Sequence, residues 1–257
     1  MLRYLAVALA IVAAAYLAIC ALLYVGQREL IYFPAATRVP AAQTDFTLER
    51  NPGLRLRGWQ VNPGRDKVLL YFGGNAEDLR GFRAQAAAWL PDRTTYLLAY
   101  RGYGASDGAP DEAALVADAM ALYDRVRADH PRAEIAVFGR SLGSGVASQL
   151  AARRPVAQLV LATPFDSLAT AAQAHYRWAP VRWLLRDRYD SASALRAYRG
   201  PLLILRAGRD RVVPPSSTQR LLEALPQPPT LVTLAHAGHD DISADPRYAQ
   251  ALQTFLR

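Results

Sequence analysis

The sequence predicts an α/β fold with a mostly parallel central sheet flanked by helices. Two observations carry this. Apolar strand-like runs alternate with helix-like segments over most of the 257 residues. Several of those runs are apolar throughout, the pattern of strands covered on both faces. A third feature sets the amino terminus apart. Tyr4 to Gly26 is a run of 23 residues without one charge.

That first run matches the length of about 20 residues needed to span a bilayer. A cleaved signal has a shorter apolar stretch, then a small-residue cleavage site. A lipoprotein signal ending at Cys20 is disfavoured by the bulky Ile19 before it. Residues 1–27 therefore read as a single-pass membrane anchor and 28–257 as one folded domain. Arg3 and Arg28 balance across the run. The terminal amine tips orientation toward N-inside, with the domain outside the cytoplasm, in the periplasm.

The elements then follow in order. "FTLE" and "LRLRGWQV" alternate and predict a hairpin at one sheet edge, with Asn51, Pro52 and Gly53 as its turn. "KVLLYF" is an apolar strand, Asp78 to Leu90 a helix, and "TTYLLAY" the next strand. Pro110 to Asp129 carries Leu115, Ala119, Leu122 and Val126 on one helical stripe. "EIAVF", "QLVLAT", "PLLILRAG" and "PTLVTL" are further strands. Asp245 and Pro246 suit the cap and first position of a closing helix.

Composition excludes several classes. Apolar residues make up 52%, too many for a disordered chain. One cysteine rules out an internal disulfide framework. The formal charge of +8 comes mostly from scattered arginines, without zinc-finger spacing or an RNA-binding aromatic motif, so no nucleic-acid partner is expected. The glycine loops lack Walker spacing and no ligand cluster has metal spacing, so neither metal nor cofactor is expected. The sequence assigns no oligomeric state.

The chemistry centres on "FGRSLGSG", Phe138 to Gly145. A Gly-x-Ser-x-Gly pentad between a strand and a helix lifts its serine onto a tight turn, beside the free N–H groups of the helix start. Ser141 is the candidate nucleophile. A serine hydroxyl needs a base, and the base an orienting acid. His239 in "HAGHDD" lies just past a strand end and is the candidate base, with His236 as runner-up. Asp210 in "AGRDRVVP" is the candidate acid, with Asp166 as competitor. Asn75 in "YFGGNAED" and Leu142 offer backbone N–H groups for an oxyanion. His175 is a candidate pocket residue, and Arg101 either binds an anion or forms a structural salt bridge.

The stretch 165–199 exceeds a simple connection. A crossover helix accounts for about half. The remainder predicts a small cap over the strand ends, with Tyr176, Trp178 and Trp183 around an acyl pocket and Arg177, Arg182 and Arg186 at a basic rim.

Together the anchor followed by "LIYFP", "YFGGNAEDL", "AYRGYGASDG", "FGRSLGSGVASQLA", "PFDSL", "RYDS", "GRDRVVP" and "GHDD" resemble the α/β-hydrolase superfamily. More narrowly they resemble its membrane-anchored serine hydrolases of the Bem46-like type, related to animal ABHD enzymes. The resemblance implies an α/β-hydrolase fold with residues 28–257 as catalytic domain. It implies Ser141 as nucleophile, His239 as base, Asp210 as acid, and Asn75 and Leu142 as oxyanion donors. It also implies acyl-enzyme cleavage of carboxylic esters or thioesters, with a lipid-like acyl substrate. A peptidase of the same core and a non-catalytic, membrane-tethered binding protein are the alternatives. Two positions depart from the family pattern. Gly73 stands where histidine is common, and Ala99 where aspartate is common.

Overall fold

The computed structural model describes residues 1–50 and 53–257. Asn51 and Pro52 of the expected hairpin turn lie outside the described residues. Gly53 has φ of +89°, a left-handed conformation that glycine adopts freely.

Eight strands form one sheet among the described residues. They are β1 (Phe46–Glu49), β2 (Arg55–Val61), β3 (Lys67–Phe72), β4 (Arg93–Leu98), β5 (Glu134–Arg140), β6 (Gln158–Ala162), β7 (Leu202–Ala207) and β8 (Thr230–Leu234). The spatial order is β1-β2-β4-β3-β5-β6-β7-β8. β2 pairs antiparallel with β1 and with β4, and every other pairing is parallel. The central strands are apolar because both faces are covered: Leu69, Leu70, Val137, Phe138, Leu161 and Ile204 are fully buried.

The covering helices are α2 (Leu79–Trp89), α3 (Glu112–Asp129), α4 (Leu142–Ala151), α8 (Pro215–Ala224) and α9 (Pro246–Phe255). Asp78, Asp111 and Asp245 cap α2, α3 and α9 through side-chain oxygens. Trp89 and Tyr248 join α2 to α9, and α3 packs on α4. No element was expected over the stretch that forms α8, of which only Ser217, Thr218 and Leu221 are buried.

Between β6 and β7 lie three short helices, α5 (Leu168–His175), α6 (Val181–Leu184) and α7 (Ser191–Ala194). The expected crossover helix is therefore broken. Pro180 sits between α5 and α6, and Asp190 caps the new start at α7.

The amino-terminal run forms α1 (Leu2–Ile31), about 45 Å long at 1.5 Å per residue. It is long and apolar enough to cross a membrane and is exposed over most of its length. Its carboxyl-terminal half is docked. Tyr16 donates to the Trp178 carbonyl at 3.1 Å. Buried Gln27 donates to the Leu184 carbonyl at 3.2 Å and accepts from the Arg186 N–H at 2.7 Å. Arg28 pairs with Asp187 at 3.2 Å, and Tyr32 bonds both Asp187 and Tyr189.

Candidate active site

Ser141 stands between β5 and α4 with φ +51° and ψ −119°. An L-residue reaches this conformation only under strain. The turn is so tight that a Cβ on Gly139 would run into the Gly143 carbonyl, and one on Gly143 into the Phe72 carbonyl. Glycine at both positions is thus a steric requirement of the turn.

Three loops at the carboxyl ends of β5, β7 and β8 bring Ser141, Asp210 and His239 together. Ser141 Oγ lies 2.8 Å from His239 Nε2. His239 Nδ1 lies 2.8 Å from Asp210 Oδ2. With the ring proton on Nδ1 facing the carboxylate, Nε2 is free to accept the hydroxyl proton. The other Asp210 oxygen accepts the Val212 and Val213 N–H groups at 2.9 and 2.8 Å, which holds the carboxylate in place. The imidazole and carboxylate are both buried.

The competing residues are engaged elsewhere. His236 is exposed, with Nδ1 3.3 Å from Arg209. Asp166 accepts from Thr170 and Ser217 and pairs with Arg220 at 2.7 Å. Burial alone would raise its carboxyl, but bonds from Arg220, Ser217 and Thr170 outweigh burial and hold it below the ordinary range. Arg101 forms a salt bridge with Asp118 at 2.6 Å.

Asn75 and Leu142 line one cavity with Ser141. Leu142 opens α4, so its N–H has no acceptor within that helix. The Asn75 loop is pinned by three bonds. Its backbone carbonyl accepts from Tyr103 Oη at 2.8 Å and the Phe33 N–H at 3.3 Å, and its side-chain Nδ2 donates to the Ile31 carbonyl at 3.1 Å.

Sequence reasoning missed the group that ties these loops together. Glu77 accepts the Gly74 N–H at 2.8 Å and the Tyr71 hydroxyl at 2.6 Å, and it faces Arg140 at 3.5 Å. Arg140 donates onward to the Asp240 carbonyl at 2.9 Å. One partly buried ion pair therefore spans the loop bearing Asn75, the Ser141 turn and the His239 loop. The available signal was an arginine inside the serine pentad and a carboxylate in the glycine loop.

The cavity encloses about 510 Å³ and is mainly apolar, with Phe165, Leu168, Val181 and Val213 in its wall. Tyr176 and His175 line it. Trp178 and Trp183 do not. They are 53% and 85% exposed: Trp178 precedes α6, and the single turn of α6 faces Val181 and Leu184 inward and Trp183 outward. The two departures from the family pattern meet in space: Gly73 and Ala99 border the same narrow void. A Cβ at Gly73 would stand 2.8 Å from Leu79 Cδ2, so a larger residue there requires Leu79 to move.

The strand order, the strained serine turn and the Ser–His–Asp line define an α/β fold of the hydrolase type. A family model described as serine aminopeptidase, S33 matches residues 65–190. The uncharacterized protein MT2364 of Mycobacterium tuberculosis is 40% identical over 228 residues, covering 84% of this chain and 81% of that one. The chain belongs to the α/β-hydrolase superfamily. The lysophosphatidylserine lipase ABHD12 of Danio rerio is 31% identical over 185 residues, covering 64% of this chain and 48% of that protein. Among solved structures, the Pyrococcus furiosus esterase Pf2001 superposes with a TM-score of 0.66 at 18% identity, covering 83% of this chain and 92% of that chain. A hydrolase from Pseudomonas aeruginosa PA01 also gives 0.66, at 20% identity, covering 84% of this chain and 99% of that one.

Proposed function

We propose that the protein is a membrane-anchored serine hydrolase of the ABHD type that cleaves a carboxylic ester or thioester of an apolar acyl group. The observation that carries this reading is the Ser141–His239–Asp210 line, with 2.8 Å at each step, opening on an apolar cavity. His239 takes the proton as Ser141 attacks the carbonyl carbon. Asp210 holds the imidazole tautomer and faces the imidazolium that forms. The oxyanion develops against the Asn75 and Leu142 amides. His239 then returns the proton to the departing alcohol or thiol. Water, deprotonated by the same imidazole, clears the acyl-enzyme.

The family model's description raises aminopeptidase activity as a second reading. An aminopeptidase must hold a free ammonium group, and no carboxylate lines the cavity among the described residues. That favours the ester. The lipase name of the Danio rerio relative favours a lipid-like substrate.

Residues 1–27 serve as anchor, 28–257 as catalytic domain, and 165–199 as cap, with Tyr176 in the acyl pocket. The domain lies outside the cytoplasm. A fluorophosphonate probe tests the core of the reading. Wild type labels and Ser141→Ala does not, and ester turnover falls about 10⁴-fold or more in that variant. A folded wild-type protein that neither labels nor turns over esters, thioesters or aminoacyl amides is a binding scaffold instead.

A further inference from the structure

The cavity beside Ser141 is not closed by the globular domain alone. Leu23, Gln27, Leu30 and Ile31 of α1 supply one of its walls. The Ile31 carbonyl accepts from Asn75, so this wall begins beside the oxyanion loop. From Ile31 to Leu23 it extends about 12 Å along the helix axis. Leu23 belongs to the uncharged run that ends at Gly26. The cavity therefore leads from the reactive serine toward the apolar stretch of α1.

The cap follows α1 in the same direction. Tyr16 reaches the Trp178 carbonyl, about 18 Å up the helix axis from Arg28. A cap touching that stretch of a spanning helix cannot stand wholly above the headgroups. Its exposed side chains fit this depth. Trp178 and Trp183 have the amphipathic rings that gather at membrane interfaces, and Arg186 lies over the Tyr24 ring.

We infer that the second half of α1 is a wall of the substrate cavity as well as a tether, and that the acyl chain of a leaflet lipid ester enters between α1 and the cap, directly from the bilayer. The inference rests on the ester-hydrolase reading and adds the route and the substrate's physical state. An acyl chain suits this passage because the walls are apolar, while Gln27 spends its polar atoms on the cap backbone.

Two measurements test it on the full chain in phosphatidylcholine nanodiscs. The first compares kcat/KM for the palmitate and acetate esters of p-nitrophenol. Leu23→Trp fills the distal end of the cavity. The palmitate-to-acetate ratio is expected to fall about 15-fold if two methylenes are displaced, at about fourfold each. Val25→Trp, on the opposite face and 81% exposed, keeps the wild-type ratio. An unchanged ratio in Leu23→Trp, with fluorophosphonate labelling intact, overturns the wall. Equal losses in both variants overturn it too. The second measurement places acyl-brominated phosphatidylcholine in the nanodisc. Tryptophan emission is expected to be quenched, and most of the quenching to vanish when Trp178 and Trp183 are both changed to phenylalanine. Emission that ignores the bromines puts the cap in water and overturns leaflet entry. A wild type that labels with no fluorophosphonate and cleaves neither ester overturns the hydrolase reading itself, a result distinct from either of these.

Discussion

Ser141 carries its hydroxyl on a backbone that serine ordinarily avoids, at φ +51°. Such strain costs about 1–3 kcal/mol. Glycine relieves it but adds about 0.5–1 kcal/mol of unfolded-state entropy. Ser141→Gly is therefore expected to be inactive yet about 1 kcal/mol more stable, measured by denaturant titration. Lower stability than wild type would show that the turn holds no strain. Gly143→Ala acts in the opposite direction. Its methyl meets the Phe72 carbonyl, so it is expected to lose about 1–3 kcal/mol and to displace the neighbouring Leu142 amide. Ser141, Asp210 and His239 were legible because each follows an apolar strand and their chain order suits the fold. Glu77 and Arg140 were not, because a carboxylate and an arginine 63 positions apart carry no joint signal until the sheet places β3 beside β5.

At the scale of elements, the Glu77–Arg140 pair holds three loops in register. Glu77→Gln keeps the shape and drops the charge. It is expected to lower kcat about 100-fold through misplacement of the reacting groups by about 1 Å. Near-native circular dichroism and unchanged KM would separate this from unfolding; an unchanged kcat would remove Glu77 from any positioning role. The Asp166–Arg220 pair joins the cap to α8 and predicts a pH effect. The Asp166 carboxyl is held below its ordinary range in the fold. Its stabilisation is then complete above the unfolded value of about 4 and is lost as pH falls through the folded one. Asp166→Asn should be less stable than wild type at neutral pH, with the gap closing below about pH 4 in urea melts. A gap independent of pH would mean that packing, not charge, holds this corner. Apart from α8, the longer regular elements were readable from periodicity. The cap was not: α6 and α7 are four residues each, too short for a helical period, so the aromatic content of 176–183 predicted a pocket but not which rings face it.

For the whole molecule, length and apolar content identified the amino-terminal helix, yet nothing in the run itself foretold that its second half packs on the cap. That packing depends on Gln27, a polar residue just past the apolar run, whose partners in the cap lie 157 to 159 positions away. Orientation is open to a direct test. A periplasm-dependent reporter fused after Arg257 is expected to be active, and a cytoplasm-dependent one silent. The reverse pattern would turn the molecule over.

The joint between helix and domain has a kinetic consequence. Arg28 and Tyr32 both grip Asp187, a residue that is 4% exposed, at the base of the cap. A joint with two points of attachment resists swivelling, so the catalytic face keeps one tilt relative to the helix axis. If, as proposed, the protein is an anchored ester hydrolase served by lateral diffusion, an enzyme fixed this way works in two dimensions. Its velocity would follow the mole fraction of ester in its own leaflet and fall when inert lipid dilutes that surface, even though the ester in the whole sample stays the same.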